Sequence, residues 1–355
     1  MNFIFSEDDL VLREAVSRFL MIEAAPEVLR EIWQEDTGRS PQLRSAIAEQ
    51  GVTALSVPEA YDGLGMDDVV WSLISQELGY YAIPDSLIDT AYVGTYLIEQ
   101  LPDSVVSKTD WLRSIASGEL RVAISHGLEN FVADAHMANV IFSFTSEGLY
   151  ILQQEDVSLI HNTSIDSSRR IYQMEITNKS CRPILNSAAA ANLEIQVQQR
   201  GAIANAGQHI GLAQRMLDLS IDYVNQRKQF DKPIGSFQAI KHKLADVVSA
   251  VEIAKPTLYR AAYYLANHHK HSNTYVAQAV LQSRDASKLA AKHGIQVHGA
   301  MGYTWEVDLQ MFIKRCYALQ ACWGRSSHFE NLVLQSLLAE PELTDPSNIF
   351  SEAAL

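Results

Sequence analysis

RKQFDKPIGSFQAIKHKLAD, residues 227–246, lies between two long apolar stripes. Upstream, Ala206, Ile210, Ala213, Leu217, Ile221 and Val224 fall on one helical face. Downstream, Ile240, Leu244, Val247, Val251, Ala254, Leu258, Ala261 and Leu265 recur alternately four and three apart. That spacing predicts the seam of a helix bundle, with the quoted stretch joining two of its members. Pro256 interrupts the second stripe and predicts a kink or break there. A third helical run ends at Gln296 in QVHGAMGY, where two glycines permit close backbone approach to a ligand.

Working outward, residues 1–120 read as helices. Ser6 with Asp9 three positions on predicts a capping box, and Leu12, Ala15, Val16, Phe19 and Leu20 share the face that follows. A second helix runs through Leu43, Ile47 and Ala48 to Gly51. VPEAYDGLGMDD, from Val57, breaks the periodicity, and a helix through Val69, Leu73, Ile74 and Leu78 resumes it up to Gly79. Residues 121–200 change character. RVAIS, NVIFSF, GLYILQQ, SLIHN, IYQMEI and LEIQVQ are short runs rich in β-branched and aromatic residues, and they predict an antiparallel β-domain. Residues 201–355 return to helices. The fold class expected is mainly α with a middle β-domain.

Composition bounds the function. The 355 residues are 47% hydrophobic, enough for a large core. A formal net charge of −14 argues against nucleic acid, whose affinity rests on neutralised phosphates. Cys181, Cys316 and Cys322 form no CxxC pair, so neither a disulfide framework nor a zinc site is expected, and a reducing cytoplasm fits. MNFIFSEDDL does not read as a signal peptide, and no apolar run is long enough to span a bilayer.

The chemistry-bearing residues cluster at the bundle motifs. Arg227 at a helix end suits bidentate pairing with a pyrophosphate. Phe230 offers an apolar face for a ring, and Gln238 both donors and an acceptor. Gln296 with the backbone of Val297, His298, Gly299, Ala300 and Gly302 suits a closely approaching ligand. Read singly, Arg227 is a solvated helix end and a GxxG is commonplace. Together, with VPEAYDGLG and QELG (Gln76–Gly79) ahead of them, these stretches resemble the acyl-CoA dehydrogenase family of flavoproteins. The resemblance implies an N-terminal helical domain, a β-barrel or sandwich domain and a C-terminal four-helix bundle. It also implies that Arg227, Gln238 and Gln296–Ala300 contact the FAD of a neighbouring subunit. Asp231 and Ala300 stand where the family usually has glycines.

The resemblance further implies a glutamate that removes the α-proton of an acyl-CoA thioester while hydride leaves the β-carbon. Here Cys322-Trp323-Gly324-Arg325 occupies the Tyr-Glu-Gly-Thr position, so Trp323 stands in place of the base. The alternative position reads Asn267, followed by His268 and His269 in an exposed-looking HHKHSN. No catalytic residue and no metal site is assigned. The family's Gly-Ser-Asp flavin-ring loop is missing from SHGLENFVADAHMANVIF (residues 125–142). This asymmetry resembles the base-lacking subunit of bacterial α2β2 acyl-CoA dehydrogenases that act on steroid side-chain CoA thioesters. The partners implied are a dissimilar subunit carrying the glutamate, an acyl-CoA, and an electron-transfer flavoprotein or similar acceptor, without nucleic acid or membrane. Two alternatives stand beside it: a homomeric enzyme using Glu306, Asp308 or His268, and a flavin-free binding protein of the same fold.

Overall fold

The computed structural model describes residues 4–340; the first three residues, and residues 341–355 of the last expected segment, lie outside this range. Helix α1 (Glu7–Glu23) starts at the expected capping box: Asp9 N–H donates to Ser6 Oγ at 3.1 Å and Ser6 N–H to the Asp9 carboxylate at 3.2 Å. Val16 and Leu20 are buried on its inner face, whereas Ala15 is exposed. Helices α2 (Pro26–Gln34) and α3 (Pro41–Glu49) each open on a proline, whose missing N–H would be unpaired there anyway. Helix α4 (Asp68–Tyr80) is capped by Asp67, which accepts the Val69 N–H at 2.9 Å. A π-helical turn over Ile88–Gly94 runs into α5 (Thr95–Glu99), and α6 (Lys108–Ala116) completes the first segment.

The middle segment holds β1 (Val122–Ser125), β2 (Val132–Ala133), β3 (Val140–Thr145), β4 (Gly148–Leu152), β5 (Val157–Asn162), β6 (Ile171–Ile176) and β7 (Leu185–Asn186). They form two sheets, β1-β3-β4-β7 and β2-β6-β5. Ala123, Ile141, Tyr150 and Leu152 of the first meet Val132 and the half-buried Leu159, Tyr172 and Met174 of the second. The expectation of a wholly antiparallel domain is corrected at one pair: β1 and β3 run parallel, Val122 opposite Val140. Residues 126–139 carry the chain out through the second sheet before it returns, so no hairpin joins the two strands.

A second correction concerns LEIQVQ, which is helical. Helix α7 (Ser187–Gln226) begins at Asn186, whose side chain accepts the Ala189 N–H at 3.0 Å. The strand-rich segment therefore ends at Asn186 and not near residue 200. Six residues cannot separate the two periods; Ala190, Leu193 and Val197, all buried, show the helical one only in a longer window.

Helix α7 has 40 residues, about 60 Å of helix. A hairpin of β8 (Lys228–Gln229) and β9 (Lys232–Pro233) links it to α8 (Gln238–Ala266), followed by α9 (Ser272–His298), α10 (Leu309–Leu319) and α11 (Ser326–Ala339). Helices α7, α8 and α9 pack side by side, with α11 along α9 and α4 laid against α7. Helix α8 continues through Pro256, so of the expected kink or break the break does not occur. The proline lies on the solvent face, where water can satisfy the carbonyl it leaves without a partner. Among the described residues no helix is long and apolar enough to cross a membrane.

Candidate functional site

The stretch Cys322-Trp323-Gly324 turns the chain from α10 into α11. Trp323 takes φ 59° there, a left-handed conformation uncommon for a bulky residue. Such strain costs about 1–3 kcal/mol and persists where the surroundings over-determine it. Three contacts do so here. The Trp323 N–H donates to the Glu129 carboxylate. The indole stacks on His126, ring centroids 4.5 Å apart and planes 5° from parallel. Helix α7 meets the ring at Gly201, where a Cβ would come within 2.0–2.3 Å of Cδ2, Cε2 and Cε3. The indole thus fills the space that a side chain at position 201 would need, and Trp323 is only 8% exposed.

Charged groups close around this indole. Burial pushes the Glu129 carboxyl up in pKa, but His126, Arg169 and the Trp323 N–H outweigh it and hold Glu129 below the usual range. Arg169 donates to the Ala318 carbonyl at 2.8 Å and to Cys322 Sγ. Arg284 donates to the Cys322 carbonyl at 2.8 Å and to Asn205 Oδ1 at 3.1 Å. Burial pushes the Cys322 thiol up to about 12, so it stays protonated and is no nucleophile. Beside the indole is a cavity of about 80 Å³, lined in part by Asp89, His126, Glu129, Arg169 and Asn205. That is room for a handful of waters. Asp89, on the π-helical turn, has its carboxyl pushed up to about 7 by burial and by Asp134.

The other sequence-predicted residues gather at one end of the bundle. Tyr223, in the last turn of α7, stacks on His298 at 4.1 Å, and its hydroxyl donates to the His298 carbonyl at 3.3 Å. This contact brings the Arg227 hairpin and the Gln296–Gly302 loop together. Phe230 and Asp231 form the two-residue turn of the hairpin with φ 53° and 61°, the type I′ geometry that suits Asp better than Phe. The Phe230 ring is 84% exposed. Arg227, Gln238, Gln296, Gly299 and Ala300 are exposed, whereas Val297, His298 and Gly302 are buried and offer a ligand mainly backbone. His298 Nδ1 lies 2.8 Å from the Gly294 carbonyl, which makes that nitrogen the protonated one. Among the described residues no hydrogen bond engages the side chains of Arg227, Gln238 or Gln296, so an anionic nucleotide fits this end. A shallow pocket of about 300 Å³ beside it is lined by Gln296, Gly299, Tyr303 and Tyr317.

Asn267 is not brought to Trp323: it caps α8, exposed, and donates to the Tyr263 carbonyl at 2.8 Å. Glu306 is exposed and Asp308 is paired with Arg30; His268 lines a different pocket, together with Arg200. Gly201, His126, Glu129, Arg169 and Asp89 were missed by sequence reasoning. One signal was available. Three glycines interrupt the long helical pattern of α7, Gly201, Gly207 and Gly211, and each marks a close approach, the last two to α4 at Ser75 and Gln76.

Residues 6–119 match the acyl-CoA dehydrogenase N-terminal domain and residues 195–338 the acyl-CoA dehydrogenase C-terminal domain. The chain belongs to the acyl-CoA dehydrogenase family. It is 28% identical over 312 residues to the acyl-CoA dehydrogenase IpdE2 of Mycobacterium tuberculosis, covering 88% of this chain and 91% of that one. Its fold matches the ChsE4–ChsE5 complex of Mycobacterium tuberculosis, with a TM-score of 0.84 at 18% identity over 96% of this chain and 99% of that chain. It matches the Tcur3481–Tcur3483 steroid ACAD with a TM-score of 0.83 at 18% identity over 95% of this chain and 99% of that chain. The turn before the last helix, where the sequence reading expected a glutamate, presents the packed indole of Trp323.

Proposed function

We propose that this chain is one subunit of a heteromeric, FAD-dependent acyl-CoA dehydrogenase and lacks the catalytic base of that enzyme. The observation that carries this reading is the packed Trp323. A base must be a proton acceptor within reach of the substrate α-carbon. The indole is none, and Glu129 is tied to Trp323, His126 and Arg169. The partner subunit supplies the glutamate and the flavin-ring contacts. FAD, when bound, would supply the acceptor for the hydride leaving the β-carbon of the thioester. This chain contributes the outward-facing end of its bundle: Arg227 and Gln238 for the ADP half, Phe230 for a ring, and the Gln296–Gly302 loop for close backbone approach. The electrons then pass to an electron-transfer flavoprotein or a similar acceptor. A steroid side-chain CoA thioester is the substrate class proposed, on the strength of similarity to a steroid ACAD and to a complex of two differently named chains. The absence of a membrane-spanning helix among the described residues agrees with a cytoplasmic setting.

The test is expression of the full chain alone and together with a dissimilar family member that carries the glutamate. The chain alone is expected to hold little flavin and to dehydrogenate neither steroid nor straight-chain acyl-CoA with an artificial electron acceptor. Activity is expected in the co-purified complex and lost when the partner's glutamate becomes glutamine. Turnover by a flavin-replete homomer overturns the reading. One observation favours that second reading, a homomer using Asp89, since this carboxyl titrates near neutrality beside the indole. In that case Asp89→Asn abolishes the lone chain's turnover.

A further inference from the structure

Among the described residues four phenylalanine, tyrosine or tryptophan side chains are exposed: Phe230, Tyr303, Trp305 and Tyr317. Phe230 sits on the hairpin already described. The other three follow the Gln296–Gly302 loop, and they are 78%, 66% and 46% exposed. A single exposed aromatic is ordinary, whereas several gathered in one place mark an interaction surface. These three are also held in place. Lys314, on α10, sets its ammonium 3.4 Å from the Trp305 ring centroid, and the Trp33 ring of α2 meets Trp305 edge-on with centroids 6.4 Å apart. Asp308, three residues on, is paired with Arg30 of α2. Thr304 donates its hydroxyl to the Met301 carbonyl at 3.0 Å. The loop is pinned to the helices behind it while its rings stay exposed. Little conformational freedom is left to lose when a partner covers them.

The charge around the rings gives the partner its sign. Tyr303 and Tyr317 line the shallow pocket of about 300 Å³ together with Lys292 of α9. No carboxylate lines it, in a chain whose formal net charge is −14. The cavity beside Trp323 and the pocket holding His268 both include acids. Among the described residues neither Lys292 nor Lys314 is ion-paired. Of the carboxylates on the adjoining stretch, Asp308 is taken up by Arg30 and Glu306 is not part of the pocket. An exposed aromatic surface with an unpaired ammonium fits a partner that brings a carboxylate.

We propose that Tyr303, Trp305, Tyr317 and Lys292 form a docking hot spot for an acidic segment of the dissimilar subunit, whose carboxylate pairs with Lys292 while its apolar surface covers the three rings. This rests on the reading of the chain as one subunit of a heteromer. Gln296 and Gly299 line the same pocket, so the patch is continuous with the loop offered to the nucleotide. An adenine ring covers one tyrosine; three rings spread over a loop and a helix need a protein surface. Aromatic anchors of this kind carry a large share of binding energy where they are held rigid and become fully covered.

Association of the two full-length subunits is the readout. It is measured by sedimentation velocity of the co-purified complex over a dilution series, with FAD content read alongside. Tyr303→Ala combined with Trp305→Ala is expected to raise the Kd about 100-fold. Lys292→Glu is expected to raise it about 10-fold at low salt and by less at high salt, because the lost attraction is replaced by a repulsion that salt screens. Lys292→Arg should stay near wild type. An unchanged Kd in a double variant with a native circular-dichroism spectrum overturns the hot spot. So does a complex that Lys292→Glu leaves unchanged or tightens, whether or not the double variant folds. Loss of FAD at an unchanged Kd assigns the patch to the nucleotide and overturns the docking role. Each of these results leaves the heteromer reading standing; failure of the wild-type chains to associate at all sinks that reading and the hot spot with it.

Discussion

Gly201→Ala tests the packing around the indole. In an ordinary helix interior the change favours folding by about 1 kcal/mol, because alanine loses less backbone entropy. Here the new methyl would lie 2.0–2.3 Å from three indole atoms, against about 3.5–4.0 Å for a comfortable carbon contact. The ring has little freedom to yield, since Glu129 accepts its backbone N–H and His126 stacks on it. Tolerated overpacking costs about 1–3 kcal/mol, and expulsion of a buried tryptophan costs as much as its deletion, about 3–5 kcal/mol. With the propensity gain subtracted, Gly201→Ala is expected to destabilise the chain by up to about 4 kcal/mol. The sign should reverse when the ring is absent. In a Trp323→Ala background the same change should stabilise by up to about 1 kcal/mol. Urea denaturation of the four members of this cycle measures both numbers. Stabilisation by Gly201→Ala in the wild-type background would refute the reasoning, because it would mean that the indole does not occupy that space.

In the co-purified complex, Arg227→Ala removes a charge-assisted contact worth about 1.5–3 kcal/mol, so FAD affinity should fall about 10- to 100-fold in a flavin-fluorescence titration. Asp89 has its folded pKa raised from 3.8 to about 7, so the folded chain keeps a proton that the unfolded chain releases. Its contribution is present below pH 4 and lost as pH rises to about 7; Asp89→Asn should therefore gain stability over wild type progressively across that window and level off above it in denaturation curves. Arg315 joins three parts of the chain, donating to the Asp166 carboxylate, to Ser168 Oγ at 2.6 Å and to the Ile83 carbonyl at 2.9 Å. Arg315→Ala strands the buried Asp166 and should cost about 3–5 kcal/mol by chemical denaturation, and Arg315→Lys should recover little because lysine lacks the fork.

The sequence alone was enough for most of the long elements. The apolar seams of α7 and α8, the Ser6 capping box and strands β1 and β3–β6 follow from local periods of 3.6 and 2, which depend only on residues a few positions apart. The expectation of a tryptophan at the base position is local in the same way, a residue type at a motif spacing. Where a run was too short for its period to declare itself, as in LEIQVQ, the reading failed, and the parallel pairing of β1 with β3 has no local signature at all. The site was beyond reach for a related reason. Asp89, His126, Glu129, Arg169, Gly201 and Trp323 come from a π-helical turn, loops of the β-segment, α7 and the turn before α11. Trp323 and Gly201 are each unremarkable in their own neighbourhoods, one an aromatic in a loop and the other a weak helix former. They meet because the turn after α10 delivers the indole to the face of α7 that lacks a side chain, and which faces meet is decided by close packing across the whole chain.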